Sequence, residues 1–190
     1  MPPACSSIAS ESEPAPLLHS ILIYGYGNPG RQDDGLGLAC VAALEQWAAE
    51  ARIPGLTFDT NYQLNAEDAL AVSGHDAVIF ADAARENVER FAFKRLAPHS
   101  GLSFSTHALS PEAVLALCAE LYDKHPLPYL LTIQGRSWEP NAELTPEARS
   151  HLAAALDFIK PILRDPDHRG LYADSLPETK SAPRCPEKRT

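Results

Sequence analysis

The densest run of chemically capable residues is Gly25-Tyr26-Gly27-Asn28-Pro29-Gly30-Arg31-Gln32-Asp33-Asp34-Gly35-Leu36-Gly37, where glycines lead into a pair of carboxylates. Its first six residues satisfy G-x-G-x-x-G, which in dinucleotide-binding proteins turns a strand into a helix and lays the pyrophosphate on the helix N-terminus. Here Asp33 and Asp34 follow at once, so two negative charges occupy the place of two phosphates and repel them. The acid that would hold the ribose is expected about 20 residues further on. Asp59 is in the right topological place but stands 29 residues beyond Gly30. A nucleotide site is therefore the weaker reading. As a rigid turn the run makes better sense: Gly25 and Gly27 let the backbone turn sharply, Asn28 ties the loop through its side chain, and Gly35 and Gly37 let a helix start pack closely. The acids are then held in a cleft, with ordinary helix N-capping as their alternative use.

Other hydrolytic chemistries lack their residues. His19, His75, His99, His125, His151 and His168 fall in turns, tails or helix surfaces without an H-x-x-x-H or H-E-x-x-H pattern, which argues against a zincin. There is no G-x-S-x-G elbow and no evident Cys-His pair, so an acyl-enzyme nucleophile is not visible. Cys5, Cys40, Cys118 and Cys185 form no C-x-x-C pair, and Cys40 and Cys118 read as small buried helix residues.

The elements that must position the acids alternate between short apolar runs and helical patterns, the signature of an α/β domain with a largely parallel sheet. Strands are expected at 20–27, 56–60, 76–83, 91–96 and 127–135, the fourth at an edge. The first helix should start near Asp33 and run to residue 51. Asn65 should cap a short helix with Glu67 and Asp68 in its first turn. Ser110-Pro111 and Thr145-Pro146 each place a cap before a proline at the first helical position, opening helices over 111–122 and 146–163. Residues 1–18 and 165–190 are polar, turn-rich and aperiodic, so both are expected to be flexible tails around a single domain over 19–164. In an open parallel sheet ligand groups gather at the carboxyl ends of strands. Asp34 follows the first strand, Asp59 should end the second, Asp82 ends the third, and His107 precedes the Ser110 helix. Asp82 reads as structural, hydrogen-bonding to nearby backbone groups.

Taken as one unit, GYGNPGRQDDGLG resembles the G-x-G-N-x-x-x-x-D-D/E-G-x-G signature of the hydrogenase maturation endopeptidases, and the likeness covers roughly Ser20 to Leu163 by the order of elements. The resemblance implies a three-layer α/β/α sandwich around a mostly parallel, roughly five-stranded sheet, of the phosphorylase/hydrolase-like kind. It implies an endopeptidase that removes the C-terminal extension of a [NiFe]-hydrogenase large-subunit precursor once nickel is in place. In that family a loop carboxylate, an aspartate after the second strand and a later histidine form a site that can hold a metal ion. Carried over, these are Asp34, Asp59 and His107, as catalytic and metal-contacting residues. Where relatives often carry D-G-G-T-x-G, this chain has Asp59-Thr60-Asn61-Tyr62-Gln63-Leu64, and Gln63 and Glu67 are alternatives to Asp59. The form YQLNAEDA resembles a subgroup that matures bidirectional or oxygen-tolerant hydrogenases. Two carboxylates and an imidazole suit a borderline divalent ion such as Ni²⁺ or Zn²⁺. The implied metal is nickel supplied by the substrate, with a metal of the protease's own as the alternative and no organic cofactor. Rival readings are a non-catalytic nickel-sensing chaperone of the large subunit and a Rossmann-like nucleotide binder.

Composition sets only outer bounds. The 190 residues suffice for one domain with a sizeable core. A hydrophobic fraction of 45% with 22% charged residues is ordinary for a globular protein. A formal charge of -9 offers no clustered basic surface for phosphates, so nucleic acid is not an expected partner. No run is long enough to span a bilayer and no basic-then-apolar leader opens the chain, so no membrane association and a cytoplasmic location are expected.

Overall fold

A computed structural model of the chain describes residues 18–85, 88–97, 109–165 and 171. Its first strand, β1 (Ile21–Tyr26), is buried from Ile21 to Gly25, as a strand covered by helices on both faces must be. A 3-10 turn over Pro29–Gly35 leads into α1 (Leu36–Ala51), followed by β2 (Leu56–Asn61), α2 (Asp68–Ser73), β3 (Ala77–Ala84) and β4 (Phe91–Arg95). The chain continues through α3 (Pro111–Tyr122), β5 (Leu127–Gln134) and α4 (Pro146–Arg164). The strands form one sheet in the order β2-β1-β3-β5-β4, with β4 the antiparallel edge and every other pair parallel.

Alternation along the central strands divides the core in two. Ile21, Ile23, Ile79, Ala81, Leu131 and Ile133 pack with Leu36, Cys40 and Leu44 of α1 and with Ala155 and Ile159 of α4. Leu22, Tyr24, Val78 and Phe80 face the other way, against Ala69 and Val72 of α2 and Val114 and Cys118 of α3. This is the expected three-layer α/β/α sandwich, with α1 and α4 on one face and α2 and α3 on the other. Ser110 and Thr145 cap α3 and α4 as the sequence predicts, their hydroxyls accepting from Ala113 N and Ala148 N at 3.2 and 3.1 Å. The buried positions of α4 recur at helical spacing from Ala148 to Leu163, giving one apolar stripe.

Four expectations change. Helix α1 begins at Leu36 rather than near Asp33, because the intervening residues are wound into the 3-10 turn. Asn65 does not cap α2; its own N–H donates to Asp68 Oδ2 at 2.7 Å, so the carboxylate closes the turn from inside and α2 shrinks to six residues. His151 is buried in α4 with Nδ1 2.8 Å from Gln134 O, not on a helix surface. Leu18 and Leu171, both assigned to tails, are buried against the core, and the Tyr129 hydroxyl donates to Leu171 O. Asp165, the first residue of the second expected tail, caps the end of α4 with its N–H donating to Pro161 O at 3.3 Å; the remaining residues of the expected tails lie outside the described residues. Among the described residues no helix is long and apolar enough to cross a membrane.

The layers touch most closely at Gly37. A Cβ there would lie 2.4 Å from both Ala81 O and Tyr26 O, so α1 rests on the backbones of β1 and β3 with no side chain between. Neither carbonyl can yield without disturbing the sheet. Gly37→Ala is therefore expected to cost about 3 kcal/mol or more, lowering Tm by roughly 10 °C in thermal unfolding. Gly74→Ala, whose Cβ would meet only Ala71 O at 3.6 Å, should leave Tm nearly unchanged.

Candidate active site

In a sheet of this order the chain leaves β1 toward β2 on one side and later adds β3 on the other, so the crevice opens at the carboxyl ends of β1 and β3. Register places Gly25 beside Ala81, and the next residues of the two strands are Tyr26 and Asp82. Both lie on the α2/α3 face by alternation. The phenol of Tyr26 hydrogen-bonds to the Asp82 carboxylate, and Asp82 Oδ1 also accepts from Ala83 N at 2.7 Å.

The turn after β1 brings in the second carboxylate. Asn28 Oδ1 accepts from Gly30 N at 2.8 Å and starts the 3-10 turn, while the Asn28 N–H donates to Asp34 Oδ2 at 3.3 Å. Gly27 has φ +135°, and a Cβ on it would lie 2.1 Å from Asp34 O, so this backbone approach admits only glycine. Asp34 is half-buried. Its charge reaches Asp82: burial first, and Asp34 in addition, push the Asp82 carboxyl up to about 6, against the opposing hydrogen bonds from Tyr26 and Ala83. The Tyr26 phenol is pushed up in turn, by burial and then by Asp82, with a smaller effect from Glu112 at the start of α3. It stays a neutral donor at physiological pH.

The neighbouring acid has a different environment. Asp33 is fully buried, and its carboxylate accepts from Arg136 N at 2.8 Å, Ser137 N at 3.1 Å, and both Thr145 N and Thr145 Oγ1 at 2.8 Å. Burial works to raise its pKa, but the four hydrogen bonds outweigh it and hold the group below its usual 3.8. Neither acid of the pair caps α1, whose N-cap is Gly35.

Asp59 is the fourth of six residues in β2, an edge strand, and is exposed. It does not end its strand as expected. It pairs in register with Tyr24, whereas Asn61, two residues on, pairs with Tyr26. The alternatives Gln63 and Glu67 are both exposed. His107 lies outside the described residues. The nearest described residue after it, Leu109, donates its N–H to Leu64 O at 3.3 Å, so the approach to α3 is fastened to the loop that leaves β2. Thus the Asp34 charge acts on Asp82 at the crevice, and Asp59 stands on the neighbouring edge strand. The sequence reading of Asp82 as structural, hydrogen-bonding to nearby backbone, agrees with its bond from Ala83 N, but like Asp59 it stands two residues before the end of its strand rather than at it; what the sequence could not supply is the strand order that sets it beside Asp34. Among the described residues no group of three or more His, Cys, Asp or Glu is gathered tightly enough to hold a metal ion. Cysteine chemistry has no support there either, since burial raises both described thiols, that of Cys40 to about 12.

No family model matches the sequence, and no curated protein matches it significantly. Solved structures do. The chain is similar to the [NiFe] hydrogenase maturation protease HycI from Thermococcus kodakarensis KOD1, at 21% identity over 78% of this chain and 94% of that one, with a TM-score of 0.61. It is similar to the hydrogenase maturating endopeptidase HybD from E. coli, at 24% identity over 77% and 93%, with a TM-score of 0.59. A hydrogenase 2 maturation peptidase from Thaumarchaeota archaeon SCGC_AB-539-E09 matches at 22% identity over 77% and 99%, with a TM-score of 0.56. At these identities the likeness speaks to architecture, and the chain has the fold of the hydrogenase maturation endopeptidases.

Proposed function

We propose that this chain is a hydrogenase maturation endopeptidase, working in the cytoplasm, that removes the C-terminal extension of a [NiFe]-hydrogenase large-subunit precursor after nickel insertion. The observation that carries the proposal is the signature-like turn of Pro29–Gly35, set at the switch point of this fold so that Asp34 shares one crevice with Asp82. The three structural relatives supply the activity by their names: maturation protease, maturating endopeptidase and maturation peptidase.

The nickel belongs to the substrate in this reading. Asp34 with Asp82 or Asp59, together with His107, would offer it oxygen and nitrogen donors, which suit a borderline divalent ion. Geometry favours Asp82 over Asp59, because Asp82 faces the crevice beside Tyr26 while Asp59 lies exposed on the edge strand. Leu109, two residues after His107, is bonded to Leu64 in the loop after β2, and Glu112 acts on Tyr26, so the start of α3 stands at this end of the sheet. These side chains would hold the precursor so that the bond to be cut and the attacking water meet in the required geometry. A nucleotide reading of Gly25–Gly30 is less well supported, since the 3-10 turn and Asp34 stand between those glycines and the first turn of α1.

Incubation of nickel-loaded precursor with purified variants tests this by the rate at which the precursor shortens on a gel. Asp34→Asn, Asp82→Asn and His107→Ala are expected to slow cleavage at least about 100-fold, and Asp59→Asn by no more than about threefold. Normal cleavage by Asp34→Asn would sink the site assignment, and loss confined to Asp59→Asn would reinstate Asp59 over Asp82. Thermal unfolding supplies the folding control. A carboxyl raised from 3.8 to about 6 contributes stability below its unfolded value that is lost as pH rises through about 6. Asp82→Asn should therefore raise stability at pH 8, by up to about 3 kcal/mol, and leave it unchanged at about pH 3, below the unfolded value.

A further inference from the structure

The acid pair Asp33-Asp34 directly follows a residue whose backbone is forced. Gln32 sits at φ 50°, ψ -113°, a conformation that a side-chain-bearing residue adopts only under compulsion, at about 1–3 kcal/mol. The compulsion comes from the segment that follows β5, a strand two places along the sheet from β1 and parallel to it. Residues 136–145, between β5 and α4, form a strap across the 3-10 turn. The strap sends Arg136 N, Ser137 N, Thr145 N and Thr145 Oγ1 to the Asp33 carboxylate. It receives Asp33 N at Ser137 O, and it donates Asn141 N to Gly30 O and Glu139 N to Gln32 Oε1. Every bond lands on residues 30–33, immediately before Asp34. The strap's own Asn141 has a left-handed φ of 56°, so both sides of the junction are bent to meet.

We propose that Asp33 is a positioning residue: its buried carboxylate locks the 136–145 strap onto the turn, holds Gln32 in its strained conformation, and thereby fixes where the Asp34 carboxylate stands in the crevice. The proposal rests on the endopeptidase reading for its consequence in catalysis, but not for its geometry. Adjacent side chains of a turn cannot move independently. If the strap lets go, Gln32 relaxes, the backbone between Gly30 and Gly35 rotates, and Asp34 loses the Asn28 N–H that its Oδ2 accepts. A displacement of about 1 Å at such a group can cost about 100-fold in rate. Asp33 itself touches no substrate, being enclosed by its four donors.

The test uses Asp33→Asn, which keeps the shape and loses the carboxylate, and the double variant Asp33→Asn/Gln32→Gly, in which glycine adopts the Gln32 conformation without strain. Two readouts are taken well below each variant's Tm: cleavage kinetics on nickel-loaded precursor, and amide exchange at Asn28. The expected result is a kcat lowered about 100-fold with KM within about threefold, loss of Asn28 protection while β1 and β3 amides stay protected, and recovery of about tenfold in kcat in the double variant. A purely structural role would lower Tm without that split or that rescue. If Asp33→Asn does not fold, Thr145→Ala removes one donor of the four and must show the same split at about 3–10-fold, whereas Thr145→Ser must not. Wild-type kcat and intact Asn28 protection in a folded Asp33→Asn would overturn the proposal. Should the wild-type protein leave the precursor uncut while Asn28 protection is still lost in Asp33→Asn, the endopeptidase reading falls and the positioning of Asp34 stands.

Discussion

Helix α1 lies directly on the backbones of β1 and β3, and the shape of the crevice depends on that contact. Gly37 meets Ala81 O and Tyr26 O with no room for a Cβ, and Gly27 meets Asp34 O in the same way. With the helix start pressed so close, the residues between Gly27 and Leu36 must fold back over a short gap, and they wind into a 3-10 turn instead of extending α1. A carboxylate entering from that turn lands over the carboxyl ends of the two central strands, where a fold of this order keeps its crevice. The glycines thus act through steric distance, and the chemistry they serve belongs to the acids beyond them.

Two acids, Asp33 and Asp82, acquire opposite characters from a difference in partners. Asp33 is buried deeper than Asp34, yet four N–H and O–H donors make its charge the favoured form. Asp82 has a tyrosine hydroxyl and one backbone N–H, faces another carboxylate, and is held toward protonation. Burial raises both groups; the number of donors decides which of them stays ionised. The same logic fastens the far side of the site, where Asp68 closes the loop after β2 by accepting from Asn65 N and from the Tyr24 hydroxyl.

Much of this was legible from residue types alone. The β-branched run ending in glycines marked β1, Ser110-Pro111 and Thr145-Pro146 marked α3 and α4, and the alternating apolar runs marked a layered α/β domain. The long signature from Gly25 to Gly37 marked the turn and singled out Asp34. What the sequence withheld was strand order. Without knowing that β2 is an edge and β3 is central, Asp59 and Asp82 are equivalent, since each is an acid near the end of a strand. Register separates them. The pairing of Asp33 with residues more than 100 positions away was equally hidden, because a buried carboxylate and a surface cap have the same letter and the same neighbours in sequence.

Intact-mass analysis of a cognate hydrogenase large subunit, nickel-loaded and nickel-free, after incubation with this protein is the most direct test of a metal-gated endopeptidase. Such an enzyme removes one discrete C-terminal peptide from the nickel-loaded form alone. An unchanged mass in both forms would contradict that activity, and with stable complex formation would point to a chaperone that docks on the same subunit without cutting it.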